Sequence, residues 1–273
     1  MARAYLEITR PGNCLLAGIA ALIGLLVAGG SLEPFTIALV FFAVFAVTGA
    51  GNGVNDYFDR EIDAVNRPRR PIPSGRISPD RARIWSIVLF ASGSAAALFI
   101  NPLAFAIAVA NSILLYFYAR NLKVTPFAGN LAVGYLTGST FLFGGAAGGD
   151  VGITFFLFSL AALATLAREI EKDIEDVPGD SASGARTLPI VIGERRSSFL
   201  AALFVVAAIV LSYLAPLGKA YIVAVTVADL LFLVALARIL QGDAPRAQKM
   251  LKAGMTAALA AFLVAAASGL GYL

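Results

Sequence analysis

The chain has 273 residues, 59% of them hydrophobic and 14% charged, with a formal net charge of +4. At a mean hydropathy of +0.83 no soluble core of this size hides that much apolar surface, which excludes a water-soluble globular domain. A single cysteine, Cys14, excludes a disulfide framework, and the lack of histidine removes zinc and haem ligation and an imidazole base, leaving carboxylates, hydroxyls, tyrosines and cations for any chemistry.

In chain order, apolar runs near bilayer-crossing length occupy 13–30, 34–51, 84–100, 103–119, 131–149, 152–167, 199–217, 220–237 and 253–272. They predict an all-α membrane protein, a nine-transmembrane-helix bundle forming one domain over 1–273, with tight turns marked by residues such as Pro102 and Pro216. The first run is too long for a cleavable signal and feeds straight into a second span. With the amino terminus cytoplasmic, Arg3, Arg10, the arginines from Arg60 to Arg83, Arg120, Lys123, the basic residues from Arg168 to Arg196, and Arg238, Arg246, Lys249 and Lys252 all lie inside. Of the 21 basic residues only Lys219 is left outside. The pI near 9.3 is therefore a topological signature and gives no support to nucleic-acid binding.

Two acidic clusters follow apolar runs and share one spacing. Asn52, Asp56, Asp59 and Asp63 form the first; Glu169, Asp173, Asp176 and Asp180 form the second. Both read i, i+4, i+7, i+11, which places each set within an arc of roughly 60° on one helix face. Such a stripe repels itself unless cations neutralise it, and oxygen-only ligands suit Mg2+ better than zinc or copper. Four acids facing lipid would cost on the order of 10 kcal/mol, so both stripes belong to a wet cavity or lie just beyond the hydrocarbon edge. Basic residues and a proline-containing stop come after each: Arg67, Pro68, Arg69, Arg70, Pro71 in one case, Arg186, Thr187, Leu188, Pro189 in the other. This predicts two related halves around a central cavity.

Asn55, Asp56, Asp59 and Asp63 spell N-D-x-x-D-x-x-x-D, with Arg67, Pro68, Arg70 and Pro71 after them, while Asp176 and Asp180 spell D-x-x-x-D with Asp173 just before. The pattern resembles the UbiA-type intramembrane prenyltransferases, and the similarity extends to Arg10, Pro11 and Asn13, to Leu122 and Lys123, and to the number of spans, so it covers almost the whole chain. The resemblance implies transfer of a polyprenyl group from its diphosphate to an acceptor, with Mg2+ held between the motifs. On that reading Asn55, Asp59, Asp63, Asp173, Asp176 and Asp180 are the metal set, and Asp56, Asp59, Asp63, Asp173 and Asp176 are the catalytic acids. Asp56 either binds metal or braces a ligand, and either Glu169 with Asp173 or Asp176 with Asp180 is the metal-contacting pair. Arg67, Arg70 and Lys123 are candidates to touch diphosphate oxygens.

An allylic cation needs shelter from water and electron-rich neighbours. Tyr116, Tyr118, Tyr135 and Phe141 can supply about 0.5–2 kcal/mol each through a ring face, or can serve only as packing aromatics. Asn13 and Asn130 either line the pocket or satisfy helix–helix hydrogen bonds. Asp229, alone in an apolar run, has no assigned role.

Arg168 to Asp180, R-E-I-E-K-D-I-E-D-V-P-G-D, resembles the archaeal lipid branch of the family, the digeranylgeranylglyceryl phosphate synthases. That implies geranylgeranyl diphosphate as donor, geranylgeranylglyceryl phosphate as acceptor and an ether bond as product; a phosphate-bearing acceptor also suits the surplus cations Arg69, Arg168, Lys172 and Arg186. An aromatic polyprenyltransferase of quinone biosynthesis is the alternative within the family, and a cation-coupled transporter the alternative outside it. CDP-alcohol phosphotransferases are disfavoured because their D-G-x-x-A-R element is missing. Expected partners are the prenyl diphosphate, a lipid or aromatic acceptor and membrane lipids, with no nucleic acid and no obligate protein partner. The expected location is the cell membrane, with the amino terminus and active-site loops cytoplasmic.

Overall fold

The computed structural model describes residues 2–269. Within them the chain is helical, without a strand: α1 Ala2–Ile8, α2 Pro11–Val27, α3 Pro34–Phe58, α4 Arg60–Asn66, α5 Pro79–Leu98, α6 Pro102–Arg120, α7 Ala128–Gly148, α8 Val151–Glu175, α9 Val177–Ser183, α10 Leu188–Ile192, α11 Glu194–Leu214, α12 Gly218–Leu240 and α13 Ala244–Gly269. Proline opens α2, α3, α5 and α6, where a missing N–H costs nothing. Side-chain caps start three of the long helices: Ser78 accepts from the Arg81 amide, Asn101 from Ala104, and Asp150 from Gly152 and Ile153.

Each apolar run of the sequence falls on one long helix, although residues 270–272 of the last run lie outside the described residues. Six helices, α3, α6, α8, α11, α12 and α13, are long and apolar enough to cross a membrane. The chain is a multi-pass membrane protein. The other three long helices fall short for separate reasons: α2 has 17 residues, α5 begins with Asp80, Arg81 and Arg83, and α7 is diluted by glycine, serine and threonine.

That composition of α7 is a packing device. Helix α7 lies between α2 and α8 with backbones nearly touching, so a Cβ on Gly144 would strike the Ala21 carbonyl and one on Gly24 the Phe141 carbonyl. Gly144→Val is expected to cost about 1–3 kcal/mol and to lower the thermal midpoint in detergent, measurable by a melting scan of the purified protein.

A shift of 117 positions relates much of the chain to itself. It carries α3 onto α8 and α4 onto α9 end for end, α2 onto the first 17 residues of α7, and α5 and α6 to within three residues of the ends of α11 and α12. Asn13 and Asn130, Asp56 and Asp173, Asp59 and Asp176, and Asp63 and Asp180 are related by the same shift. So are Arg10 (φ 51°) and Phe127 (φ 61°), which among the described residues are the non-glycine positions with left-handed backbone, each capping the helix that follows. A positive φ costs a non-glycine residue about 1–2 kcal/mol, so both helix entries are strained, although ψ differs between them (68° at Arg10, −30° at Phe127). Of the nine long helices only α13 is left outside this pairing of halves, while α1 and α10 fall on turns.

The acidic stripes do not lie on single straight helices as their spacing predicts. Helix α3 ends at Phe58 and α8 at Glu175, and the chain bends at Asp59 and at Asp176, the third position of each stripe. The bends are shallow. Asp59 and Asp63 still donate their amides to the Asn55 and Asp59 carbonyls (2.9 and 2.8 Å), and Asp176 and Asp180 to those of Lys172 and Asp176 (2.9 Å each). Pro178 in the first turn of α9 explains the second bend, because it cannot donate to the preceding turn.

Candidate active site

The first stripe is held by cations. Asp56, 4% exposed, accepts from Arg10 Nη2 (2.5 Å) and Arg70 Nη1 (3.1 Å), and the same Arg70 nitrogen reaches Asp63 (2.5 Å). Asp59 accepts from Asn55 Nδ2 (2.8 Å) and pairs with Lys123, which a 3-10 turn over Leu122–Val124 brings across from the end of α6. The turn that carries Arg70 is itself anchored: Arg76 donates to the Arg69 carbonyl (2.6 Å) and pairs with Glu7 of α1 (2.5 Å). Asn52, one turn before Asp56, donates to the Thr9 carbonyl (2.8 Å), fixing the strained corner from which Arg10 projects.

The second stripe is more open. Asp173 accepts from Asn130 Nδ2 (2.8 Å), Glu169 pairs with Arg168, and Lys172 stands 3.9 Å from both Glu169 and Asp176. Asp180, on α9, is pushed above the usual carboxylate range by partial burial, with Asp176 adding repulsion, a state that a bound cation would reverse.

The stripes meet. Tyr118, at the end of α6, lies within electrostatic reach of Glu169 and Asp173 on one side and Asp59 on the other. The loop after α9 touches the Lys123 turn, where the Arg186 amide donates to the Val124 carbonyl (3.4 Å). Below this junction is a cavity of about 770 Å³ between α2, α3, α6, α7, α8, α11, α12 and α13. Its mouth carries Arg10, Asn13, Asn52, Tyr118, Arg168 and Glu169, and its interior is mainly aliphatic and aromatic. Charge at the mouth and hydrocarbon within suit an amphiphile with an anionic head and a long apolar tail.

Comparison with known proteins agrees with that geometry. Residues 17–264 match the model of the UbiA prenyltransferase family. The chain belongs to the UbiA prenyltransferase family. It is 57% identical over 260 residues to the digeranylgeranylglyceryl phosphate synthase of Methanothrix thermoacetophila, covering 95% of this chain and 97% of that one. It is 45% identical to the synthase of the same name from Thermococcus kodakarensis, covering 96% and 98%. A solved structure described as giving insight into digeranylgeranylglyceryl phosphate synthase in membranes superposes with a TM-score of 0.88 at 40% identity, covering 98% of this chain and 99% of that one. A UbiA homologue from Archaeoglobus fulgidus bound to GPP and Mg2+ shares the fold, with a TM-score of 0.73 at 18% identity over 98% and 99% of the two chains. The protein is thus an enzyme, a prenyltransferase.

Within this UbiA site the expected residues fall into three groups. Asn13 and Tyr118 are on the cavity wall; Asn55, Asp56, Asp59, Asp63, Arg70, Lys123, Asn130 and Asp173 form the bonded network above it; Asp176 and Asp180 flank it on the bend and on α9. Two others stand apart. Arg67 is exposed at the end of α4, and Tyr135 packs edge-on against Phe158 (5.8 Å), off the wall. Among the described residues no three carboxylate or thiol groups already converge on one point, because Asp59 and Asp63 are turned onto Lys123 and Arg70. The donor set nevertheless fits a hard cation. It consists of carboxylate and amide oxygens beside a cavity, while the buried Cys14 sulfur donates to the Thr9 carbonyl.

Several wall residues were outside the expected set. Arg10 reaches Asp56 across 46 positions, so nothing local reveals the pair. Asn111 donates to Ser139 (2.9 Å), and Asp229 accepts from Ser212 (2.8 Å) deep in the cavity, which gives this intramembrane acid a partner. Lys252 also lines the wall, as does Arg168, one of the surplus cations the sequence singled out. The 117-residue shift gives no signal for Arg10, Asn111 or Asp229, since it pairs them with Phe127, Ala228 and Ser112.

Proposed function

We propose that the protein is a digeranylgeranylglyceryl phosphate synthase, joining a geranylgeranyl group from geranylgeranyl diphosphate to geranylgeranylglyceryl phosphate. The bond from the allylic carbon to the diphosphate oxygen breaks, a bond from that carbon to the glycerol hydroxyl oxygen forms, the hydroxyl proton is lost and diphosphate leaves. The near-full-length similarity to the Methanothrix synthase carries the choice of acceptor. The acidic faces meeting over an apolar cavity support the chemistry.

Asn55, Asp59, Asp63, Asp173, Asp176 and Asp180 would hold Mg2+, which supplies neutralisation of the charge that develops on the leaving diphosphate. Lys123 and Arg70, released from their carboxylates, add hydrogen bonds to diphosphate oxygens. Asp56 braces Arg10 and Arg70, and is too enclosed by those guanidiniums to face the cavity itself. Tyr118, with Phe141 farther in, offers ring faces to the allylic cation, and the aliphatic wall excludes water from it. We further propose that all nine long helices cross the bilayer as two related halves plus α13, with the site facing the cytoplasm, as the basic residues require.

Purified protein given geranylgeranyl diphosphate, Mg2+ and either the glyceryl phosphate or 4-hydroxybenzoate is expected to alkylate only the lipid. EDTA should stop turnover and excess Mg2+ restore it. Turnover of the aromatic alone would defeat the lipid assignment, and EDTA-resistant turnover would defeat the metal assignment.

A further inference from the structure

The donor diphosphate accounts for one set of cations, yet the cavity wall carries another. Lys123, Arg70 and Arg10 all sit against acids of the first stripe, on the α3, α4 and α6 side. Lys252 is on the opposite side, on α13, where it lines the cavity and is exposed. Among the described residues its ammonium has no ion-pair partner. Lys252 stands just before the apolar stretch of α13, at the level where its ammonium meets water and an anionic headgroup. Arg168 of α8 lines the same wall and gives Nη2 to Glu169, leaving the rest of its fork available.

The two cations share a depth. Gln248 Nε2 donates to Glu175 Oε2 (2.5 Å), which sets the register between α13 and the end of α8. Because the helices run in opposite directions from that contact, descending four residues on α13 reaches Lys252, about 6 Å in, and descending seven on α8 reaches Arg168, about 10 Å in. The side chains therefore originate within one helical turn of each other in height. Both long stems can reach a shared anion.

The 117-residue shift sharpens this. Arg168 corresponds to Gly51 in the first half, whose Cβ position is filled by Leu115, and Lys252 is on the helix left outside the paired halves. The acids repeat but the donor-side cations do not, since Arg10, Arg70 and Lys123 fall on Phe127, Thr187 and Leu240; Arg168 and Lys252 are the cations that line the cavity away from the first stripe. We infer that Arg168 and Lys252 form the subsite for the phosphate monoester of the acceptor, holding its glycerol hydroxyl toward the donor carbon. This rests on the acceptor being a glyceryl phosphate.

The test compares geranylgeranylglyceryl phosphate with geranylgeranylglycerol, which lacks only the phosphate, as ligands in EDTA and as acceptors with Mg2+. For Lys252→Met and Arg168→Gln, the dissociation constant and KM of the phosphorylated acceptor should rise about 10-fold or more, as for loss of a charge-assisted contact. Those of the alcohol should change less than about threefold, and the KM of geranylgeranyl diphosphate should stay within about twofold. Lys252→Arg should recover most of the affinity. Equal losses on both acceptors, a raised donor KM, or no loss at all would each overturn the subsite. A wild-type protein that ignores glyceryl phosphates would instead defeat the proposed function, a result visible before any variant is made. Lys252 is exposed, so Lys252→Met should fold; the charge-keeping Lys252→Arg reports on the site should it not.

Discussion

Asp59→Asn should lower turnover by about 10³-fold while leaving the protein folded. The substitution preserves shape but keeps one oxygen of two, so asparagine accepts from either Asn55 or Lys123 and turns its NH2 toward the other. What disappears is the negative charge, at a residue on the bend where the two stripes approach each other, 20% exposed and so not needed for core packing. Divalent-ion affinity depends on that charge, and leaving-group stabilisation depends on the ion. Diphosphate release from purified protein, alongside a melting scan, separates the chemical effect from unfolding. Asp176→Asn, at the equivalent bend, should behave alike; a normal rate in either variant would remove that residue from the ligand set.

Arg70→Ala should be the most destabilising single change near the site. One guanidinium nitrogen bonds both Asp56 and Asp63, whose side chains are 5% and 8% exposed. Removing the cation leaves two enclosed carboxylates with only Arg10 between them, and stripping one partner from such a buried pair costs about 3–5 kcal/mol. A fall of roughly 10 °C in the thermal midpoint is expected, with activity lost as well. Arg70→Lys keeps the charge and can donate to both acids through one nitrogen, but its shorter stem does not reach the same point, so an intermediate midpoint should result. An unchanged midpoint in Arg70→Ala would mean that water already screens these acids, as at a surface pair.

Much of the site was legible because its chemistry repeats at fixed spacing. N-D-x-x-D-x-x-x-D and its partner are periodic on the helical turn, and acids in an apolar chain stand out against their surroundings. Three features resisted that reading. The bends at Asp59 and Asp176 fall inside an unbroken i, i+4, i+7 pattern, since hydrogen bonding continues through them. Tyr135 faces Phe158 and not the cavity because α7 is flanked by α2, α6 and α8, and a helix buried on several sides has no single apolar face to orient it. The Arg10–Asp56 pair depends on a left-handed corner that no residue type at position 10 announces.

By itself the sequence determined the solvent, the helical class and the two acidic motifs, because these follow from hydropathy, composition and spacing along one helix. Only the tertiary structure decided which acids meet which cations, that both stripes close over one cavity, and that Arg168 and Lys252 share a depth within it. Such pairings join residues dozens of positions apart through helix packing, whose registers are set by close glycine contacts and strained corners and not by local periodicity.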